Sequence, residues 1–350
     1  MLGQHQIVGG VVVPVEIADL QFGFVDGGLG RHGGSRRGKG GDCRLTMRQR
    51  TAPRRSQPHH SAAASMCAMP DPRRPAPAAL LSDTHPPTLL ARVDAWDLAV
   101  SDGPVIATAI HDGHALRPSL RERVKLDDDA RFREEDPLTS LLAQVGDARL
   151  RVRQSRFEVD LNRPRAEAIY TGPEACWGLD VWKTPLDDAE RAISLELYDR
   201  FYDMVGELID RTVARWGSVL LVDIHSYNHR RDGADAAPSS QDDNPDIELG
   251  ITTLDPDRWG DTAKRFANVL RRHPVRGALP DVRCNVRFPS GGHFPEWVYA
   301  HWGDKVCTIS PEYKKIFMDE WSGRADIPAL YALRDGLQHA VDAVRPEFLR

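Results

Sequence analysis

Long apolar runs are missing from this 350-residue sequence. No stretch approaches the roughly 20 consecutive apolar residues that span a bilayer, so the sequence predicts no membrane-spanning helix. Cysteine is scarce: the five residues are scattered, odd in number and without a Cys-x-x-Cys spacing. That pattern favours reduced thiols in a cytoplasmic protein over a disulfide framework. No strand leads into the Gly-x-x-x-x-Gly-Lys pattern of a phosphate-binding loop, and the formal charge of −5 argues against a nucleic-acid partner.

The first 88 residues differ in composition from the rest. Gly-rich, Arg-rich and Pro/Ala-rich patches follow one another there without a helical or strand period, which is typical of disordered low-complexity sequence. The early apolar stretch has no basic region before it and no clear cleavage site after it, as a signal peptide requires. We interpret residues 1–88 as a disordered extension, with Met66 or Met69 as candidate starts, and predict one globular domain over residues 89–350.

From residue 89 onward, strand patterns alternate with helix patterns. Short runs rich in β-branched residues indicate strands, and apolar residues at helical spacing indicate helices. The predicted strands are Val105–Ile110, Arg156–Leu161, Val219–Val222 and Lys305–Ile309, and the predicted helices are Ser194–Trp216, Trp259–Arg272 and Ile327–Val344. This alternation predicts a single α/β domain with a mostly parallel or mixed central sheet, covered by helices on both faces.

Chemically active side chains follow each predicted strand. The first strand leads to His111 and His114, the second to an Asn-Arg pair, the third to His225 and the last to Glu312. Open α/β sheets build their ligand sites at the carboxyl ends of their strands. Imidazoles, a carboxylate and a guanidinium at that edge are the parts of a mononuclear zinc hydrolase.

Four segments, in chain order, resemble the N-formylglutamate amidohydrolase family. They are HDGHALRP, SRFEVDLNRP, DIHSYNHR and SPEYKKIFMDEW, and they extend over roughly Val105 to Trp321. The family is in turn similar to the zinc carboxypeptidases and aspartoacylases. The resemblance implies a carboxypeptidase-like fold, one bound zinc ion, and hydrolysis of the linear amide of an N-formyl or other N-acyl amino acid, an acidic one similar to N-formylglutamate.

The predicted metal ligands are His111, His114 and His225. A spacing of three residues lets the first two histidines point into one site, and Asp223 is placed to support His225 as a neighbouring carboxylate. The sequence departs from the carboxypeptidases and aspartoacylases at one position, because His114 stands where those proteins have a glutamate. Glu134 and Glu135 are the alternative third ligands.

Arg163 and its neighbours are the predicted substrate-binding group. A guanidinium at a strand end clamps a carboxylate bidentately, although a structural ion pair would look the same in sequence. The resemblance favours the first reading, since Asn162 and Arg163 match the carboxypeptidase pair that binds a terminal carboxylate, with Arg156 just before them. Gly291 and Gly292 form a turn that either presents backbone N–H groups to an oxyanion or has no ligand.

Glu312 is the predicted general base, and Tyr227 of the His-Ser-Tyr segment is a further substrate-binding candidate. Asp319 and Glu320 are rival carboxylates that lie further from the strand. We expect a small-molecule partner, an N-acyl amino acid. The alternatives are a metallocarboxypeptidase, a different deacylase, or a non-catalytic binding protein on the same fold.

Overall fold

The computed structural model describes residues 89–93 and 95–349. The predicted disordered extension, residues 1–88, lies outside the described residues. No helix among the described residues is long and apolar enough to cross a membrane.

The described residues build a mixed sheet whose central strands are parallel. Its strands are β1 (Leu89–Val93), β2 (Trp96–Val100), β3 (Val105–Ala109), β4 (Ala148–Val152), β5 (Val219–Asp223), β6 (His225–Tyr227), β7 (Ile247–Gly250), β8 (Val282–Cys284) and β9 (Val306–Lys314). Their order is β1-β2-β4-β3-β5-β9-β7-β8, and β6 pairs with the second half of β9. β4, β3, β5 and β9 run parallel, whereas β2 and β7 are antiparallel to their neighbours β4 and β9.

Helices cover both faces of this sheet. They are α1 (Pro118–Arg121), α2 (Asp128–Glu134), α3 (Thr139–Leu142), α4 (Asp188–Trp216), α5 (Pro256–Leu270), α6 (His293–Trp302) and α7 (Ile327–Val344). α5 and α7 pack on one face and α4 and α6 on the other. The predicted fold class is therefore confirmed.

The central strands are apolar on both sides because both of their faces are buried. Val105 and Ala107 of β3 face the α5/α7 layer, while Ile106 between them faces the α4/α6 layer. Leu220 and Leu221 of β5 divide in the same way. Continuous apolar runs of this kind are typical of parallel strands under two helical layers, which is why these two strands could be recognised from sequence.

Helix α4 begins earlier than its apolar spacing indicates. The structure starts it at Asp188 rather than Ser194, because the Asp187 side chain accepts a hydrogen bond from the Glu190 N–H and so caps the first turn. Gly217, in a left-handed conformation, ends the helix before β5. The bounds of α7 agree with the prediction.

The predicted strand Arg156–Leu161 is wrong. The segment forms turns, in which the Glu158 N–H donates to the Ser155 carbonyl and the Arg156 guanidinium pairs with Asp160. Its apparent alternation is misleading because Glu158 is buried together with the apolar residues, paired with Arg117. Glu312 also differs from expectation, since it lies within β9 rather than after it.

Candidate metal centre and active site

Three buried side chains, His111, Asp136 and His225, converge at the carboxyl ends of the central strands. One ligand atom from each lies within 4.8 Å of the others. His111 follows β3, and His225 begins β6 immediately after β5. Asp136 arrives from the segment after α2, and its backbone N–H donates to the His111 carbonyl at 2.9 Å. Residues far apart in sequence thus share one site, as strand ends in an open sheet allow.

Each imidazole of the cluster is held from behind by a buried aspartate. His111 Nε2 lies 2.8 Å from Asp160 Oδ1, and His225 Nε2 lies 2.9 Å from Asp223 Oδ2. Because an ionised carboxylate only accepts hydrogen bonds, Nε2 of each ring carries a proton. That arrangement fixes the ring and leaves Nδ1 to face Asp136, which is how protein-bound metals are commonly supported by a second layer of carboxylates.

The donor set fits a divalent metal. The Nδ1 atom of His111 is buried and has no hydrogen-bond partner among the described residues, and it lies 3.4 Å from Asp136 Oδ2. A buried nitrogen without a hydrogen-bond partner lowers the stability of the fold unless a bound atom, such as a metal ion, interacts with its lone pair. Two imidazoles and one carboxylate are the ligand types of a catalytic zinc site, which keeps a further position for water or substrate.

Electrostatics keep Asp136 and Asp160 ionised. Burial opposes ionisation of Asp136, but the neighbouring imidazoles of His111 and His225 hold its pKa far below the usual value. Burial likewise opposes the ionisation of Asp160, but Arg156 and then His111 place its pKa well below normal. The ionised carboxylates of Asp136 and Asp160 beside these imidazoles suit a bound cation.

His114, predicted from sequence as a ligand, lies outside this cluster. Its Nδ1 is 2.6 Å from Glu135 Oε2, and its Nε2 accepts from the Arg131 guanidinium at 3.1 Å. Both ring nitrogens are therefore used in hydrogen bonds within the segment that leads to Asp136. The structure brings His111 and His225 together. The third candidate ligand beside them is Asp136, whereas the sequence analysis predicted His114, with Glu134 or Glu135 as alternatives.

Neither alternative glutamate joins the cluster. Glu135 is buried and accepts hydrogen bonds from Ser155 and His114. Glu134 lines the cavity described below, where its Oε2 pairs with Arg231 at 3.3 Å. Asp136 was missed because it belongs to an acidic run beyond a short helix, with no strand before it and no distinctive spacing to either histidine.

A cavity of about 720 Å³ opens over the cluster. Glu312 lines it from β9, where its Cα is paired with that of His225 in β6. Burial raises the pKa of Glu312 to about 8, with His225 opposing the shift. No described residue donates a hydrogen bond to its carboxylate, which leaves it open to a bound water or substrate.

The rival carboxylates have structural partners elsewhere. Glu320 accepts the backbone N–H groups of His229 and Arg230, and Asp319 accepts those of Trp321 and Ser322. Neither lines the cavity over the cluster.

Arg156 and Arg163 both line the cavity, yet they differ in how their charge is used. Arg156 Nη2 lies 2.7 Å from Asp160 Oδ2, and its guanidinium stacks on Trp177. Arg163 is a third exposed, and its nearest carboxylate oxygen, on Asp160, is 4.0 Å away. Arg156 therefore supports the aspartate behind His111, while Arg163 retains donors for a ligand.

Asn162 and the glycine turn form one unit at the start of α6. Asn162 Oδ1 accepts the Phe294 N–H at 2.9 Å. A Cβ on Gly292 would lie 2.4 Å from that oxygen, so a larger residue there would force the Asn162 side chain to move. Gly291 has a φ of +73°, a conformation that glycine adopts readily. Tyr227 also lines the cavity, but its hydroxyl donates to the Pro245 carbonyl.

Comparison with known proteins agrees with this architecture. A solved N-formylglutamate amidohydrolase from Ralstonia eutropha JMP134 aligns over 73% of this chain and 98% of its own, with 17% identity and a TM-score of 0.57. A gene product from Agrobacterium tumefaciens covers 71% and 96%, with 20% identity and a TM-score of 0.52. A carboxypeptidase A candidate from Shewanella denitrificans OS-217 reaches a TM-score of only 0.34 at 15% identity, over 72% of this chain and 61% of its own. No curated protein matches the sequence.

At these identities the two closer superpositions establish a shared fold only. The sequence itself matches a family model, however, over residues 103–310, which is more than half of the chain and includes the His111, Asp136 and His225 cluster. The chain belongs to the N-formylglutamate amidohydrolase family.

Proposed function

We propose that this protein is a zinc-dependent hydrolase that cleaves the amide of an N-formyl or similar N-acyl amino acid, with N-formylglutamate as the reference substrate. The observation that carries the proposal is the buried cluster of His111, Asp136 and His225, with each imidazole backed by an aspartate and the His111 Nδ1 without a partner. These three residues would hold the ion. When bound, zinc lowers the pKa of a coordinated water to about 7 and polarises a carbonyl.

The residues around the cluster supply proton transfer and substrate orientation. Glu312 removes a proton from the attacking water and delivers it to the amide nitrogen as the C–N bond breaks, which yields formate and the free amino acid. Burial raises the pKa of Glu312 to about 8 in the metal-free protein, and a bound cation nearby would lower it toward the range in which a carboxylate acts as a general base near neutral pH. Arg163 binds the substrate's α-carboxylate through its unused donors.

The size of the cavity favours a small amide over a peptide. Its volume of about 720 Å³ lies in the range of pockets for small molecules. This supports a deacylase in preference to a metallocarboxypeptidase, whose substrates need an extended cleft. Asn162 and Gly292 border the same cavity at the start of α6.

Metal analysis combined with formate release tests the proposal. We expect about one zinc per chain, and release of formate from N-formyl amino acids that stops on chelation and returns with zinc. C-terminally unblocked peptides without an N-formyl group should not be cleaved. A protein that binds no metal, or that trims peptides and leaves formyl amides intact, would contradict it.

A further inference from the structure

Two histidines contact each other in the α5/α7 layer, outside the cavity over the cluster. His273 lies just beyond the end of α5, and His339 lies within α7. His339 is exposed and His273 is partly buried. Neither residue lines the cavity. The pair is therefore separate from the cluster of His111, Asp136 and His225.

The two rings face each other through the same nitrogen. His273 Nδ1 lies 3.2 Å from His339 Nδ1, and the ring centroids are 5.1 Å apart. Neither ring has another hydrogen bond, or a carboxylate oxygen within 4.0 Å, among the described residues. In the absence of a metal, one Nδ1 carries a proton and donates it to the lone pair of the other.

The spacing of the two rings also fits a pair of ligands on one metal ion. Two Zn–N bonds of about 2.0–2.1 Å at a tetrahedral angle separate the nitrogens by about 3.3 Å and the ring centres by about 5.2 Å. The observed separations of 3.2 Å and 5.1 Å lie close to both values. An ion at this point would take the place of the shared proton, and each neutral ring would then carry its proton on Nε2.

A glycine in α7 makes room for the His273 ring. A Cβ at Gly336 would lie 3.0 Å from Cδ2 and 3.1 Å from Cγ of His273, so the ring packs directly against the helix at this point. His339 follows Gly336 by three residues and is its neighbour on the same helix face. Glycine destabilises a helix interior relative to alanine. The close approach of His273 accounts for a glycine here and holds the two imidazoles side by side.

The donor set selects the class of ion. Imidazole nitrogens suit Cu²⁺, Ni²⁺ and Zn²⁺, whereas Mg²⁺ and Ca²⁺ prefer oxygen ligands. Among the described residues, no third His, Cys, Asp or Glu lies close enough to complete a three-residue set with this pair. Water would fill the remaining positions, so the pair should bind metal more weakly than the cluster does. Its affinities should follow the general order, in which Cu²⁺ exceeds Ni²⁺ and Zn²⁺.

We propose that His273 and His339 form a second metal site, which binds one divalent transition metal ion and bridges the end of α5 to α7. The site does not depend on the proposed hydrolase activity, because neither residue lines the cavity. A ligand that binds only the folded protein stabilises it. Metal binding by the pair should therefore raise the Tm of the protein beyond the effect of zinc in the cluster.

The test compares metal binding by the full chain and its variants. Each protein first receives one equivalent of zinc and is then titrated with Cu²⁺ alone or Zn²⁺ alone, in equilibrium dialysis and in thermal unfolding. At about 10 µM free Cu²⁺, His273→Gln and His339→Gln should each bind about one ion fewer than the wild type and show a smaller metal-dependent rise in Tm. Histidines elsewhere in the chain are common to both variants, so the difference reports on the pair.

His301→Gln is the matched control. His301 is also an exposed histidine on a helix, but its Nδ1 pairs with the Trp297 carbonyl and its ring contacts only Trp297 and Trp302. This variant should bind as many ions as the wild type and show the same rise in Tm.

Electron paramagnetic resonance provides a further readout. The Cu²⁺ signal that is absent from His273→Gln and His339→Gln should show coupling to two imidazole nitrogens. Equal Cu²⁺ binding by the wild type and both variants, an equal loss in His301→Gln, or coupling to a single nitrogen would overturn the proposal. Failure of the cluster to bind zinc would contradict the proposed function and leave this comparison valid.

Discussion

The backbone N–H of Asp136 donates to the carbonyl oxygen of His111 at 2.9 Å, so two residues of the cluster are joined through their main chains. This bond fixes the segment after α2 against the end of β3. Lys315 strengthens the same contact, because its buried Nζ donates to the carbonyls of Arg133 and Glu135. The carboxylate of Asp136 is thus positioned by the fold itself, as a preorganised metal site requires.

His114→Ala should leave zinc binding close to wild type, because both ring nitrogens of His114 bond to Glu135 and Arg131 rather than face the cluster. The substitution removes one partner of the buried Glu135 carboxylate, which typically costs about 1–3 kcal/mol of unfolding free energy. Zinc titration and chemical denaturation measure the two effects. A variant of normal stability that has lost its metal would restore His114 as a ligand.

Gly292→Ala should disturb the substrate side of the site and spare the metal. The added Cβ would meet Asn162 Oδ1 at 2.4 Å, so Asn162 must move away from the start of α6. We expect KM to rise at unchanged zinc content. Gly206→Ala is the control, since a Cβ at that position in α4 meets nothing closer than 3.6 Å; it should stabilise the helix by about 0.5–1 kcal/mol without a kinetic effect. Similar KM values in both variants would contradict the assigned role of Asn162.

Glu312→Gln keeps the shape of the side chain and removes its carboxylate. Loss of a general base typically lowers the rate by about 10²–10⁴. The loss should appear in kcat, with KM and zinc content nearly unchanged, because Glu312 lines the cavity but lies outside the His-Asp-His cluster. Steady-state kinetics of formate release measure it. A variant with wild-type kcat would remove Glu312 from the mechanism.

The raised pKa of Glu312 predicts that the free energy of unfolding of the metal-free protein depends on pH. Burial raises the pKa of this carboxyl from its ordinary value of 4.5 to about 8 in the folded state. Between these values the folded chain keeps a proton that the unfolded chain has released. The resulting stabilisation is complete below about 4.5 and is lost as the pH rises toward 8. Urea unfolding of chelator-treated protein across this window should show the decline, and Glu312→Gln should flatten it. Parallel profiles for wild type and variant would refute the assignment.

Sequence patterns were sufficient for elements that are defined locally. The doubly buried strands β3 and β5 have continuous apolar runs, and α7 has an apolar spacing that ends where the helix ends. The prediction of a strand over Arg156–Leu161 was wrong because Glu158 is polar but buried, in an ion pair with Arg117. In sequence, such a residue looks like an exposed position of a half-buried strand. Alternation alone does not distinguish a solvated polar residue from a buried, paired one.

The residues of the site could be predicted only in part, because some of them are positioned by contacts between distant parts of the chain. His111 and His225 follow strands, where topology brings side chains together, and both were candidates. Asp136 comes from a segment whose approach depends on a distant contact, the hydrogen bond from its N–H to the His111 carbonyl. Such long-range hydrogen bonds leave no periodic trace in the chain.

The most direct test of the account is the zinc content of Asp136→Asn, measured beside Glu134→Gln. Asp136 contributes an oxygen to the cluster, whereas the neighbouring Glu134 pairs with Arg231 in the cavity wall. We predict that Asp136→Asn weakens zinc binding by more than the roughly 10- to 100-fold that changes behind a ligand produce, while Glu134→Gln keeps about one zinc per chain. Full zinc occupancy in Asp136→Asn, or its loss in Glu134→Gln alone, would contradict the assignment of His111, Asp136 and His225 as the metal centre.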